Sequence, residues 1–203
     1  MSQYLLTHSL LSAWLYAQKD NPYEDATTER DSYQEFLQAL RREPGEQTEA
    51  MRNGIEFEDL VTDIVNGDAD TDHKWYEAAC KVARIVKGGW LQYKAKKEMV
   101  ISGVRILLYG RLDVLKAGEV IDIKFSKGYE RGKYISSTQH PTYLELIPEA
   151  DKFTYLVSNG SEVWTETYRR DETPSITSVI EAFLAYLKDN GLWEVYTSHW
   201  TAL

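Results

Sequence analysis

An aspartate and a lysine stand two residues apart, at positions 122 and 124, within a short apolar segment. If residues 119–125 form a strand, alternation sends Ile121 and Ile123 to one face and Asp122 and Lys124 to the other. The Cα atoms of the charged pair would then lie roughly 6.6 Å apart, so a carboxylate and an ammonium would converge on one small volume. Taken alone, this pattern also fits a half-exposed strand with a surface charge pair.

A second carboxylate, Asp113, interrupts the apolar segment 104–115. Strands that flank a core disfavour aspartate, both by propensity and because burying an unpaired carboxylate is costly. If a turn at 117–118 pairs this segment with 119–125, Asp113 and Asp122 become near neighbours across the sheet. Adjacent carboxylates repel each other unless a cation lies between them or one is protonated. Oxygen ligands of this kind predict Mg²⁺ or Mn²⁺ rather than zinc.

Three further side chains are candidates on helices. Glu58 lies at the edge of the apolar stripe of a predicted helix over residues 46–65. A glutamate at such an edge usually only extends along the surface, so its spacing leaves its role open. Gln139 and Tyr143 are four residues apart and would share one face of a short helix over 139–146. That pair also fits a capped surface helix with a partly buried tyrosine.

The elements that must position these residues form a helical front and a central sheet. The first 88 residues are predicted to be helical, with an apolar stripe from Leu5 to Ala17 and helices over 29–42, 46–65 and 71–86. Strands are predicted over 90–100, 104–115 and 119–125, as an antiparallel meander, and over 152–158 and 162–169. A helix capped by Ser175 and ended by Gly191 follows. The pattern predicts an α+β fold.

Composition limits the classes of protein. No linker divides the 203 residues, which predicts one domain over 1–203, and the 43% hydrophobic residues suffice for a core. The single cysteine, Cys80, excludes a disulfide framework and a four-cysteine metal or cluster site. With neither a basic leader nor a long apolar run, a cytoplasmic protein without a membrane segment is expected.

The net charge of −9 argues against binding DNA through bulk electrostatics. Acids grouped at a metal site count against this charge until the cation binds, which softens the objection. Two local basic groups also remain, at Lys94, Lys96 and Lys97, and at Lys124, Lys127, Arg131 and Lys133.

The order and spacing of the motifs resemble the PD-(D/E)XK nuclease superfamily, in particular its RecB-like and phage-type exonuclease branch. The four matching motifs are Gly54-x-x-Phe57-Glu58, Gly110-x-x-Asp113, Asp122-Ile123-Lys124 and Gln139-x-x-x-Tyr143. Leu112 stands where the literal motif has proline, and Asp122 where many members have glutamate. The resemblance implies a restriction-endonuclease-like core, with a central mixed sheet that contains the antiparallel meander and is flanked by helices.

The resemblance also implies a metal-dependent deoxyribonuclease. One or two Mg²⁺ or Mn²⁺ ions would be held by Asp113, Asp122, the backbone carbonyl of Ile123 and Glu58. Lys124 would orient the attacking water and help to deprotonate it, and Gln139 and Tyr143 would position the phosphate. The cysteines of relatives with an iron–sulfur cluster are missing, so no cluster is expected.

By the same resemblance, the expected substrate is linear DNA, cut by an exonuclease of a phage or prophage recombination system. A single-strand-annealing protein is a possible partner, and a homo-oligomer a possible assembly. An endonuclease of the same superfamily is one alternative, and a non-catalytic nucleic-acid-binding module on this fold is another.

Other polar and aromatic residues are interpreted as structural. His8, His73 and His199 are expected on the surface or on a helix face rather than as ligands. Trp193, Tyr196 and Trp200 are expected to form core or a subunit contact.

Overall fold

A computed structural model describes residues 2–19 and 31–202 of the chain. Within those ranges the strands are β1 (Gln3–Leu6), β2 (Trp90–Ile101), β3 (Val104–Lys116), β4 (Glu119–Phe125), β5 (Lys152–Ser158) and β6 (Val163–Arg169). The helices are α1 (His8–Ala17), α2 (Ser32–Leu40), α3 (Glu49–Asn66), α4 (Tyr76–Val86), α5 (Gln139–Leu146), α6 (Thr177–Asp189) and α7 (Trp193–His199). A 3₁₀ turn, Arg170–Glu172, follows β6. No helix in the described ranges is long and apolar enough to cross a membrane.

The strands form one mixed sheet, which confirms the α+β class. Consecutive strands β2, β3 and β4 pair antiparallel, as the predicted meander requires, and β5 pairs antiparallel with β6. Two pairings are parallel and join segments far apart in the chain, β1 with β3 and β4 with β5. The strand order is β1-β3-β4-β5-β6, with β2 on the other side of β3.

The prediction that the first 88 residues are helical throughout is wrong at the N-terminus. Residues Gln3–Leu6 form β1, because they pair with Arg105–Leu108 of β3 over a separation of about a hundred residues. The helix begins only at His8, where the Thr7 hydroxyl accepts a hydrogen bond from the Leu10 amide at 3.3 Å.

Several helix boundaries also differ from the prediction. Helix α3 begins three residues late, because the Thr48 hydroxyl caps it by accepting a hydrogen bond from the Met51 amide at 3.2 Å. Residues 71–75 form turns before α4. Ser175 is not the N-cap of α6, which begins after Ile176 without a side-chain cap. The start of the predicted helix 29–42 falls partly outside the described residues, and α2 begins after the capping residue Asp31.

Two hydrophobic cores lie on opposite faces of the sheet. Alternate residues of β4 separate them, since Val120 belongs to the larger core and Ile121 and Ile123 to the smaller. The larger core contains buried residues of α1, α2, α5, α6 and α7, and the smaller contains those of α3 and α4. Tyr196 and Trp200 are buried in the larger core, which confirms a core role for the C-terminal aromatic cluster.

Strand β3 has two different neighbours along one edge. Near its start, Arg105–Leu108 pair with β1, and near its end, Val114–Lys116 pair with β4. No described strand pairs with residues 109–113 on that edge. We name this opening the fork: residues 109–113 of β3 with the facing residues 122–124 of β4.

Candidate active site

Side chains replace the missing strand ladder at the fork. The Ile123 amide donates to Asp113 Oδ2 at 2.8 Å, and the Tyr143 hydroxyl donates to the carbonyl of Arg111 at 2.9 Å. Buried backbone groups need such partners when no strand supplies them. Asp113 and Tyr143 therefore satisfy backbone groups at the fork, and these hydrogen bonds hold both side chains there.

Asp122 and Lys124 converge as the strand alternation predicts. The Lys124 ammonium lies 2.7 Å from Asp122 Oδ2, and the Asp122 side chain is almost fully buried. The side-chain amide of Gln139, in α5, donates a hydrogen bond to Asp122 Oδ1. Asp122 Oδ2 has no further hydrogen bond within the described residues, so its contact with Lys124 is its polar partner there.

Glu58 reaches the site from α3 and accepts a hydrogen bond from the side-chain amide of Gln92 in β2. Burial raises the pKa of Glu58, the hydrogen bond from Gln92 opposes this rise, and the Asp122 carboxylate adds to it. Burial also raises the pKa of Asp113 well above its ordinary value, with further contributions from Asp122 and then Glu58. The three carboxylates therefore interact electrostatically, although they come from α3, β3 and β4.

One ammonium, that of Lys124, faces these carboxylates from within the fork. Burial works to lower the pKa of Lys124, but the Asp122 carboxylate, together with Asp113 and Tyr134, outweighs burial, and the net pKa is raised. Lys124 is therefore a cation at neutral pH. The guanidinium of Arg111 also acts on Glu58 and opposes the rise in its pKa. With three ionised carboxylates against these two cations, the site carries more negative than positive charge.

This excess of carboxylate oxygens fits a divalent cation in its chemistry, since Mg²⁺ and Mn²⁺ prefer hard oxygen ligands. Within the part of the chain that the structure describes, Asp122 Oδ2 makes no hydrogen bond besides its ion pair with Lys124, so it has room for a further ligand bond to a cation. The carboxylates are turned toward Gln92, Gln139 and the Ile123 amide, however, and the described residues contain no group of three acidic, histidine or cysteine side chains in metal-binding geometry. Ion binding would therefore require the carboxylates to turn away from these donors.

Gly110 is required by the close approach of α5. A Cβ atom at this position would overlap the Tyr143 ring and lie 2.8 Å from Leu146 Cδ1. Two residues of different motifs, Gly110 and Tyr143, are thus explained by one contact. A Cβ at Gly54 would meet nothing within 4 Å, so no contact of the described structure requires that glycine.

Sequence analysis did not identify Gln92 as a site residue. Its backbone has φ = +52° at the third residue of β2, a left-handed conformation that is costly for a residue with a side chain. Gln92 falls opposite Asp113, between the pairs Leu91–Val114 and Tyr93–Leu112. Nothing in the local sequence signals this geometry, because glutamine has no preference for the left-handed region.

His8 is the second residue that was missed, and it lies half-buried on a face of α1, as the first residue of that helix. The His8 ring packs edge-on against Tyr143 at a centroid distance of 5.2 Å, and its Nδ1 is buried without a hydrogen-bond partner among the described residues. Burial lowers its pKa to about 4, opposed by Asp122 and assisted by Lys124, so the ring is neutral at neutral pH. His199, by contrast, is exposed as expected.

The first helix is tied to α5 at the same place. The Thr138 hydroxyl donates to the His8 carbonyl at 3.1 Å and lies 2.6 Å from the Ser12 hydroxyl. Because Gln139 follows directly, this contact fixes α5 where its amide reaches Asp122. The structure therefore brings all six candidate side chains to one region: Glu58, Asp113, Asp122, Lys124, Gln139 and Tyr143.

Comparison with known proteins bears on the fold. No family model and no curated protein matches the chain. Among solved structures, it is similar to the crystal structure of SSO0001, with a TM-score of 0.55 and 14% sequence identity over 94% of this chain and 79% of that one. At this identity the likeness shows a shared fold alone, which extends over almost the whole chain.

Proposed function

We propose that this protein is a divalent-metal-dependent nuclease that hydrolyses phosphodiester bonds of DNA at the fork. The observation that carries the proposal is the gathering of three carboxylates around one half-buried ammonium where the strand ladder breaks. Such a group destabilises the fold, because each charge that is withdrawn from water loses hydration. Its presence therefore indicates a function. The proposal includes a restriction-endonuclease-like core, which the motif order implies.

The donors proposed for the ion are Asp113, Asp122, Glu58 and the backbone carbonyl of Ile123. A bound Mg²⁺ or Mn²⁺ would lower the pKa of a water molecule and offset the charge that develops on the phosphate. In the hydrolysis a bond forms between the water oxygen and phosphorus, one ester P–O bond breaks, and the products are a phosphomonoester and a hydroxyl.

Lys124 is assigned to charge neutralisation and to orientation of the attacking water. Its raised pKa keeps it protonated, so in this state it favours the phosphate oxygens over the removal of a proton. Gln139 and Tyr143 reach the fork from α5, at Asp122 and at the Arg111 carbonyl, and their donor groups are able to orient a phosphate once they leave these acceptors. The neutral His8 ring borders the same space.

Digestion of DNA tests this proposal. End-labelled linear duplex and covalently closed circles are incubated with Mg²⁺ or Mn²⁺, or with EDTA, for the wild type and Lys124→Ala. We expect metal-dependent loss of linear DNA, reduced by about 10³-fold or more in the variant. Lys188→Ala removes an exposed lysine of α6 and should cut as the wild type does.

The form of the substrate decides between the remaining possibilities. Loss of linear DNA alone supports the exonuclease that the motifs imply, and cutting of closed circles supports an endonuclease. A metal-dependent activity that survives Lys124→Ala would refute the assignment of the site. A folded protein that binds DNA and cuts none of these substrates would favour the non-catalytic module.

A further inference from the structure

Residues 126–135 form most of the connection between β4 and α5. We name them the basic loop because they contain three exposed cations, Lys127, Arg131 and Lys133, and one acid, Glu130. Within residues 2–19 and 31–202, none of these cations has a carboxylate at ion-pair distance. The Lys133 ammonium donates instead to neutral oxygens, the Ser126 hydroxyl at 2.8 Å and the Gly128 carbonyl at 3.4 Å. The basic loop therefore keeps its positive charge in a chain whose net charge is −9.

A single buried carboxylate, that of Glu166 in β6, organises the basic loop. Glu166 Oε2 accepts from the Tyr129 hydroxyl at 2.7 Å and from the Gly132 amide at 3.2 Å. Its other oxygen accepts from the Tyr134 amide at 3.4 Å and from the Tyr168 hydroxyl. Burial alone would raise the pKa of Glu166, but these hydrogen bonds lower it overall, so the residue stays charged.

Two aromatic stacks hold the basic loop on the sheet. Tyr129 stacks on Trp164 of β6 at a centroid distance of 5.7 Å, and Tyr134 stacks on Tyr155 of β5 at 4.3 Å. The conformational entropy of ordering this segment is thus lost on folding and not on binding a ligand, which favours affinity.

The basic loop also borders the fork. It begins two residues after Lys124, and Lys124 and Asp122 both act on the pKa of Tyr134, which burial raises. An anionic polymer bound at the fork would therefore continue over the exposed cations.

We propose that the basic loop holds the phosphodiester backbone of duplex DNA beside the fork, and that Glu166 is the positioning residue that fixes it. This inference rests on the proposed function and adds the surface that binds the substrate. Phosphate contacts of this kind position DNA without reading its sequence, and each makes affinity depend on salt.

Duplex binding at several salt concentrations tests the surface. Fluorescence anisotropy in EDTA compares the wild type with the triple variant Lys127→Ala, Arg131→Ala, Lys133→Ala. Each lost phosphate contact makes the negative slope of log K against log[salt] shallower by about 0.9, so the magnitude of the slope should decrease by roughly 2–3. In Mg²⁺, KM should rise about tenfold while kcat changes little. The control, Arg84→Ala, Lys87→Ala, Lys188→Ala, removes three exposed cations elsewhere and should keep the wild-type slope.

Glu166→Gln separates positioning from bulk charge. This substitution removes one negative charge, so a purely electrostatic effect would tighten DNA binding. If Glu166 positions the basic loop, the amide satisfies its four donors poorly and binding weakens about 3–10-fold. The two explanations thus predict changes of opposite sign. Thermal unfolding of the variant verifies that it is folded.

The outcomes separate this inference from the proposed function. A reduced salt slope in the triple variant together with weaker binding by Glu166→Gln supports it. If the wild type cuts DNA but the triple variant keeps the wild-type salt slope, this inference is overturned and the proposed function is not. A wild type that shows no salt-dependent DNA binding and no cleavage overturns both.

Discussion

The fork and the basic loop are neighbours in the chain, yet they treat charge in opposite ways. At the fork, Asp122 is almost fully buried and Asp113 is half-buried beside it, and burial with repulsion by Asp122 raises the pKa of Asp113. In the basic loop, Lys127 and Arg131 are exposed and have no carboxylate partner among the described residues. The fork has an excess of carboxylates and the basic loop an excess of cations, which is the arrangement that the proposed function requires if a metal ion and a phosphate are to bind side by side.

The two regions also differ in what they cost the fold. Buried carboxylates near one another oppose folding, whereas exposed cations contribute little to stability in either direction. Substitutions at the fork should therefore change catalysis and stability together. Substitutions of the exposed cations of the basic loop should change DNA binding and leave stability unchanged.

The largest expected effect is a loss of cleavage without a loss of binding. Asp122→Asn removes a buried carboxylate from the fork and keeps its size, so the rate of DNA cleavage should fall on the order of 10³-fold. Duplex affinity in EDTA should stay within about threefold or become tighter, because one negative charge is gone. Single-turnover rates and anisotropy measure the two quantities. A parallel loss of affinity and rate would erase the distinction between the two regions.

The next effect concerns the packing that supports the fork. Gly110→Ala forces a methyl group into the Tyr143 ring and should lower the free energy of unfolding by about 1–3 kcal/mol. Gly54→Ala, in open space within α3, should raise it by up to about 1 kcal/mol. Denaturant unfolding of both variants measures this. Equal effects of the two substitutions would contradict the close approach of α5 to β3.

Asp113→Asn should stabilise the protein at neutral pH by about 1–2 kcal/mol in EDTA, because it removes a buried charge. The folded wild type holds the Asp113 proton more tightly than the unfolded chain, since burial, Asp122 and Glu58 raise its pKa above 3.8. Wild-type stability therefore falls as pH rises from about 3.8 through the folded pKa, and the gain from the variant grows over that range.

Unfolding of Asp113→Asn at a series of pH values measures this gain, which should vanish below pH 3.8, where both states are protonated. Glu130→Gln, an exposed substitution in the basic loop, should leave stability unchanged at every pH. A gain for Asp113→Asn that is the same at pH 3 and pH 7 would contradict the raised pKa.

The smallest effect separates backbone strain from hydrogen bonding at Gln92. Glycine adopts φ = +52° freely, so Gln92→Gly should be more stable than Gln92→Ala by about 1 kcal/mol. Both variants lose the hydrogen bond to Glu58 and should slow cleavage to the same extent. Thermal unfolding and cleavage rates are compared for the pair. Equal stability would show that the strand is not strained at this position.

Local sequence patterns predicted the part of the site that lies within the meander. Alternation placed Asp122 and Lys124 together, because adjacent side chains of a strand point to opposite faces. The turns at Ser102-Gly103 and Ala117-Gly118 were also readable, and their four residues have φ between +47° and +76°, as tight hairpin turns require. These features depend on residues close in sequence.

The missed features depend on contacts between distant segments. Strand β1 forms because four residues add to the edge of β3, and so short a segment has no strand signal of its own. His8 reaches the fork only because β1 and Thr138 hold the start of α1 beside α5. Gln92 joins the site through a hydrogen bond to Glu58, 34 residues away in the chain, and through its position opposite Asp113, and no local rule predicts either contact.

Calorimetric titration with Mn²⁺ tests most directly whether the acids of the fork form a cation site. The wild type should bind one or two ions per chain saturably, and Asp113→Asn and Asp122→Asn should each weaken binding by about tenfold or more. The triple variant of the basic loop should give the wild-type isotherm. The absence of saturable binding by the wild type, or an unchanged isotherm in Asp122→Asn, would contradict the assignment of the fork as a metal-dependent active site.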